Sequence, residues 1–172
     1  MLTTCLFLPK RGERYVLWKK PSHDGVLRRV PVGGRRESTD ATLYETAARE
    51  AYEESGITPI LEETILLAIV EIIHLDREVS NRLIVWFMGA FHGVPRENKN
   101  EGLMDPRAYT LQHLPVHELW PTDAHWLYSV LRNHHINPKT PFFQRRYVYE
   151  RGVVVRVESL DMMTLALPMF PP

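Results

Sequence analysis

Both ends of one helix are written into the residues between Thr42 and Pro59, and that segment limits the rest of the chain more than any other. Thr42 followed by Glu45 has the spacing of a capping box, in which the threonine hydroxyl accepts from the third helical N–H and the glutamate reaches back to the cap. Gly56 stands where a left-handed residue closes a helix, and Pro59 blocks continuation. The predicted helix therefore runs from about Leu43 to Ser55, with Leu43, Ala47 and Ala51, joined by Tyr44 and Ala48, as its apolar side. Glu50, Glu53 and Glu54, at i, i+3 and i+4, share another face. Like charges stacked this way cost a helix about 0.2–0.5 kcal/mol per pair, a cost that a solvated acidic surface also carries. Arg49 ahead of the carboxylates, Gly33-Gly34 upstream and Gly56 behind favour a built cluster. Hard divalent cations take oxygen ligands and share them with substrate phosphates, so the pattern points to metal-dependent phosphate chemistry.

The flanks read as strands with a second helix among them. Leu2–Leu8 and Tyr15–Lys19 form a hairpin across Pro9–Gly12, and Leu27–Val32 leads to the glycine pair. Ile65–Leu75 and Arg82–His92 are further strands, the second central because Leu83–Phe91 is almost wholly apolar. Pro95–Pro106 reads as a charged loop, Tyr109–Leu114 as a short strand, and Pro121–Asn133 as a helix burying Trp126, Leu127, Val130 and Leu131. After a linker at Pro138–Pro141, Arg146–Glu158 reads as one late strand. Strands alternating with two helices give an α/β or α+β chain: one domain over residues 1–160 and a tail over 161–172 whose P-M-F-P-P has the character of a partner contact.

Composition narrows the partners. Twenty-one basic residues balance twenty-one acidic ones, so no overall field draws the chain to nucleic acid or a membrane surface. A small charged ligand at a local site fits that balance. The N-terminal apolar run is too short for a signal peptide, and no stretch reaches the roughly 18–20 apolar residues of a membrane span. Cys5 is the single cysteine, which excludes an internal disulfide and reads as a buried, inert thiol. A cytoplasmic protein, monomeric or homodimeric, is the expectation.

Gly34–Ile57 resembles the Nudix box, G-x5-E-x7-R-E-U-x-E-E-x-G-U with U aliphatic. Arg49, Glu50, Glu53, Glu54, Gly56 and Ile57 match, with Ala51 as a small first U. Counting back from Arg49 puts Ala41 at the glutamate position and Arg35 at the glycine position, so the Gly34-to-Arg49 spacing is one residue long. A one-residue insertion before the helix accounts for it; Asp40 or Glu37 replaces the carboxylate, or nothing does. The resemblance implies a Nudix α/β/α sandwich with a mixed β-sheet between helices. It also implies hydrolysis of a nucleoside diphosphate linked to another moiety, with Mg²⁺ (Mn²⁺ as an alternative). Carried over by position, Glu53 and Glu54 are metal ligands, Glu50 is a ligand or the base, and Arg49 holds the glutamates. A carbonyl of Gly33 or Gly34 is an extra ligand, and Glu101, in the loop after the central strand, is a further metal carboxylate.

Leu114–Trp126 resembles a stretch of the MutT-like oxidised purine nucleoside triphosphatase subfamily, whose substrates include 8-oxo-dGTP. By that resemblance Trp120 stacks on the purine and Asp123 reads the base edge, with Thr122 where the subfamily has a first aspartate and Val30 where it has an asparagine. The expected product pair is the monophosphate and pyrophosphate. Rival readings are hydrolysis of ADP-ribose, a dinucleoside polyphosphate or an RNA cap, a nucleotide-binding module with weakened catalysis, and a regulator contacting a partner through its tail. Taken alone, Trp120 is better explained as a core aromatic, and Pro121, Asp123 and Trp126 in register turn the reading toward the ligand; Trp18, Trp86 and Trp126 are assigned to packing. His113, His117 and His134-His135 lack a metal-ligand spacing and read as solvated or capping. Of the basic residues flanking the glycines (Lys19, Lys20, Arg28, Arg29, Arg35 and Arg36), some meet phosphates; Arg35 is assigned to substrate.

Overall fold

Alternation along the central strands separates two cores and places one helix on each face of a sheet. The computed structural model describes residues 2–76, 81–160 and 168–171. The strands are β1 (Leu2–Arg11), β2 (Arg14–Pro21), β3 (Leu27–Val30), β4 (Val32–Arg35), β5 (Thr58–His74), β6 (Asn81–His92), β7 (Met104–Thr110), β8 (Phe143–Glu150) and β9 (Val153–Glu158). Helices α1 (Leu43–Ser55) and α2 (Pro121–Ile136) complete the fold, with 3-10 turns at Leu111–His113 and Val116–Glu118. The order is β3-β2-β1-β6-β5-β8-β9, with β4 also on β1 and β7 on β2. β1–β6 and β5–β8 run parallel and the remaining pairs antiparallel, which makes this a mixed sheet.

Leu83, Val85 and Phe87 of β6 pack with Leu43, Tyr44, Ala47 and Ala51 of α1, whereas Trp86 and Met88 pack with Trp126, Leu127, Val130 and Leu131 of α2. A two-residue period on a strand buried on both faces requires this division. β6 is central as expected, between β1 and β5. Trp18, Trp86 and Trp126 are buried, Trp126 stacked on Phe143 at 5.0 Å and edge-on to Trp86 at 5.2 Å. Cys5 is buried, and loss of hydration pushes its thiol up to about 12, so it stays protonated. The result is an α/β sandwich. Among the described residues no helix is long and apolar enough to cross a membrane.

Several boundaries differ from the sequence reading. The stretch Leu27–Val32 that leads to the glycine pair divides at Pro31, which has no N–H for a ladder; β3 pairs with β2 and β4 with β1. The strand expected at Tyr109–Leu114 lies earlier, at β7, because its partner is β2, and it takes residues from the supposed charged loop. The late strand is a hairpin, β8–β9, turned by Arg151 and Gly152 at φ 50° and 78°. His134 is buried rather than solvated, while His135 meets Glu13 at 3.0 Å. Of the expected tail, residues 161–167 and 172 lie outside the described residues, but Met169 and Phe170 pack on the α1-side core.

The α1 boundaries agree with the residues that encode them. Thr42 Oγ1 accepts from Glu45 N at 3.1 Å, Glu45 Oε2 accepts from Thr42 N at 3.1 Å, and Gly56 closes the helix at φ 71°. Replacing Thr42 with Ala is expected to lower stability by about 1 kcal/mol. In urea unfolding this appears as a lower midpoint with an unchanged slope; an unaltered midpoint contradicts it.

Candidate active site

The site begins with one guanidinium. Arg49, half-buried on α1, has five N–H donors, and each has an acceptor. Nε and Nη2 meet the two oxygens of Asp40, each at 3.1 Å; Nη1 meets Glu50 Oε1 and Glu53 Oε2, each at 3.0 Å; Nη2 also meets the Arg35 carbonyl at 3.0 Å. Asp40 is buried and further held by Glu37 N at 2.9 Å and Thr46 Oγ1 at 3.0 Å. The Arg49 bond, helped by those donors, lowers its carboxyl to about 2. The carboxylate that the sequence left open is therefore Asp40; Glu37 stands farther off at 3.8 Å and is mostly exposed. Gly34 and Asp40 keep the G-x5-E separation, so the extra residue falls between Asp40 and Arg49. That spacing was a readable signal.

The three glutamates differ in setting. Glu53 is exposed, Glu50 partly buried and Glu54 buried at 5%. Glu54 Oε2 accepts from Gly33 N at 2.8 Å and its Oε1 faces Lys20 Nζ at 3.3 Å. Burial raises the carboxyls of both Glu50 and Glu54, and a nearby cation would oppose that shift by favouring their ionised forms. The Glu50 carboxylate lies against β4, where a Cβ on Gly34 would overlap it. A Cβ on Gly33, at φ 147°, would overlap the Cys5 carbonyl. Glu101 sits in the turn between Asn98 and Leu103, close enough for its charge to act on Glu54. That loop also donates Asn98 Nδ2 to the Glu53 carbonyl at 3.2 Å and Arg96 N to the Ser55 carbonyl at 3.1 Å, holding the end of α1.

Among the described residues no three His, Cys, Asp or Glu side chains are gathered at ligand distances; the carboxylates face Arg49 and Lys20. The donor set nonetheless fits a hard divalent ion. It is all oxygen, Glu50 Oε2 and Glu53 Oε1 make no hydrogen bond among the described residues, and a cationic group already rests on Glu54.

The second part of the site lies on the turn before α2. Trp120 is partly buried at the start of α2, where Pro121 occupies the first helical position. The Arg28 guanidinium lies 4.7 Å from the Trp120 ring centre, and the His23 ring is near-parallel at 6.0 Å. Arg28 also meets Asp24 at 3.0 Å and donates to the Leu119 carbonyl at 3.3 Å. Thr122 is buried, and its hydroxyl accepts from Tyr149 at 3.3 Å. The Asp123 carboxyl is pushed up to about 7 by loss of hydration. Lys20 and Arg28 are cross-strand partners on β2 and β3, so one pair spans the two parts.

The remaining expected basic residues divide by burial. Arg29 is buried, bonded to Asp105 at 2.7 Å and facing Glu118 at 3.4 Å, which makes it a structural cation. Arg36 donates to the Asp40 carbonyl at 2.9 Å, and Arg35 is exposed, its carbonyl engaged with Arg49. Val30 faces Trp18 across the strands. Sequence reasoning missed the Lys20–Glu54 pair and the Arg28 contact with Trp120, because both join separate strands and loops.

A model of the NUDIX domain matches residues 3–130, most of the chain. The chain belongs to the Nudix family. It is 25% identical to the oxidized purine nucleoside triphosphate hydrolase of Mus musculus over 136 residues, covering 74% of this chain and 78% of that protein. Among solved structures it superposes on the Mutator MutT protein of Bacillus halodurans with a TM-score of 0.69 at 18% identity, covering 92% of this chain and 97% of that one. It also resembles the solution structure of E. coli ORF135, with a TM-score of 0.62 at 19% identity, over 81% and 95% of the two chains. The Nudix family is one of hydrolases that act on small-molecule nucleotides, and the fold of this chain is that of the MutT structure.

Asp40 supplies the first test. Its carboxyl is depressed, so its stabilisation is fully present above about pH 4 and is lost as pH falls through about 2. Asp40→Asn is expected to cost about 2 kcal/mol at pH 7 and about half that at pH 3, measured by denaturant unfolding. A pH-independent difference would show that the charge is not responsible.

Proposed function

We propose that this Nudix protein is a Mg²⁺-dependent pyrophosphohydrolase that splits a purine nucleoside triphosphate, oxidised purines included, into the monophosphate and pyrophosphate. The observation that carries the reading is the Lys20–Arg28 cross-strand pair. Lys20 touches the carboxylate cluster and Arg28 touches Trp120, so two cations line the path between a metal-type site and an aromatic platform. A nucleotide with its base at Trp120 and its phosphates toward α1 has the complementary charge.

Glu50, Glu53 and Glu54 are the residues that would hold Mg²⁺ or Mn²⁺, with Glu101 and a carbonyl of Gly33 or Gly34 beside them. An ion held there would supply charge neutralisation at pyrophosphate oxygens and a lowered pKa for the attacking water. The chain does the rest. Glu50, with its carboxyl raised by burial, is the group suited to take a proton from water. Arg49 fixes Glu50 and Glu53 in direction, and Lys20 steadies Glu54 and offers positive charge to phosphate oxygens. Trp120 presents a ring for stacking. Asp123, near 7, donates a proton to a base acceptor in its neutral form and accepts when ionised. Thr122, occupied by Tyr149, leaves base reading to Asp123. The binding-module reading was motivated by Ala41 at the glutamate position; Asp40 making the Arg49 bonds favours catalysis instead.

Pyrophosphate release with Mg²⁺ should be detected for at least one canonical or oxidised purine triphosphate, and Glu53→Gln should reduce kcat/KM by about a hundredfold or more. No release from any of them, with Glu53→Gln indistinguishable from the parent, sinks the proposal. ADP-ribose, dinucleoside polyphosphates and capped RNA belong in the same panel. Because the neutral Asp123 is the donor, KM for a purine with a ring carbonyl or N7 acceptor should rise as pH rises through about 7. Asp123→Asn, a donor at every pH, should flatten that profile; an unchanged profile removes Asp123 from base reading.

A further inference from the structure

The first turn of α1 is completed by residues far along the chain. A helix begins with four N–H groups that have no intrahelical acceptor. In α1 the Thr42 N–H goes to Glu45 Oε2 at 3.1 Å and the Glu45 N–H to Thr42 Oγ1 at 3.1 Å. The other two leave the box altogether: Leu43 N donates to the Pro168 carbonyl at 3.1 Å and Tyr44 N to the Met169 carbonyl at 2.9 Å. Phe170 secures this contact. Its ring lies 5.8 Å from Tyr44 and 5.3 Å from Phe87, and Tyr44 and Phe87 are themselves 6.0 Å apart, edge to face. Three rings thus join the start of α1, the central strand β6 and the Pro168–Phe170 segment.

We infer that Pro168–Phe170 is a clamp that positions the carboxylate helix, with Phe170 as its positioning residue. The far end of α1 is held independently, by Arg96 N on the Ser55 carbonyl and Asn98 Nδ2 on the Glu53 carbonyl. With that end fixed, the clamp sets where the first turn lies and hence how Glu50, Glu53 and Glu54 face β4. Glu50 packs against Gly34 with no room for a Cβ between them, and Glu54 accepts from Gly33 N, so a shift of the helix changes both contacts. Hydrolytic geometry tolerates little displacement of such groups. Among the described residues the segment makes no hydrogen bond to the carboxylates; it acts through the helix start. The inference deepens the reading of α1 as the metal-holding helix.

The test compares the full-length protein with Phe170→Ala, Phe170→Leu and Leu131→Ala, the last a core truncation on the α2 side. Hydrogen exchange at the Leu43 and Tyr44 amides should speed up about tenfold or more in Phe170→Ala and not in Leu131→Ala. Mg²⁺ alone, titrated calorimetrically, should bind about tenfold more weakly to Phe170→Ala, while nucleotide KM at saturating Mg²⁺ changes less than about twofold. Phe170→Leu, keeping apolar bulk, should recover most of both effects. Unchanged exchange at Leu43 and Tyr44 overturns the clamp. Faster exchange with Mg²⁺ affinity unaltered, or weakened equally by Leu131→Ala, overturns its positioning role. A parent protein that binds Mg²⁺ yet hydrolyses no nucleotide defeats the proposed reaction and leaves the clamp to be decided by exchange and calorimetry.

Discussion

The Arg49–Asp40 pair holds together parts of the chain that would otherwise have no reason to stay in register. Asp40 lies before the helix, Arg49 within it, and the Arg35 carbonyl at the end of β4; the Arg49 guanidinium meets both of the others. It then spends its remaining donors on Glu50 and Glu53, so one planar group sets the entry loop, the strand and two carboxylates. Such pairing also answers the like-charge problem of this helix face. Glu50 and Glu53 share one positive group, and Glu54 turns to Lys20 and to a backbone N–H. A half-buried guanidinium with every donor satisfied avoids the penalty of an unpaired charge.

The sheet then decides what this cluster can work with. β2 and β3 are adjacent, and their register places Lys20 opposite Arg28. The carboxylate helix and the aromatic turn come from opposite faces of the sandwich and meet along this edge through two basic residues. The turn has its own support: Arg29, buried beneath it, pairs with Asp105 and faces Glu118. Rigid backing under a flat ring suits a stacking surface better than a free loop does.

Local signals were legible where the chemistry is local. Thr42, Glu45 and Gly56 act within a few residues of themselves, and the helix they delimit is observed at the expected boundaries. The apolar run of β6 carries its burial in its own composition. Misreadings arose where a partner strand made the choice. The division at Pro31 went unread because its two sides pair with β2 and β1 separately. β7 took residues from an apparent charged loop because β2 offered it an edge, and Arg151-Gly152 turned one alternating run into a hairpin.

The sequence by itself determined a capped helix with three carboxylates on one face, an arginine ahead of them, and a family pattern with one carboxylate out of place. Those features depend on spacing along a single helix, which the covalent chain dictates. Tertiary structure alone decided that Lys20 stands against Glu54, that Arg28 covers Trp120, and that Phe170 closes on the start of α1. Each of these is a meeting of side chains from different elements. Burial, strand register and the demand that every enclosed donor find an acceptor select such partners, and none of those quantities exists before the chain has folded.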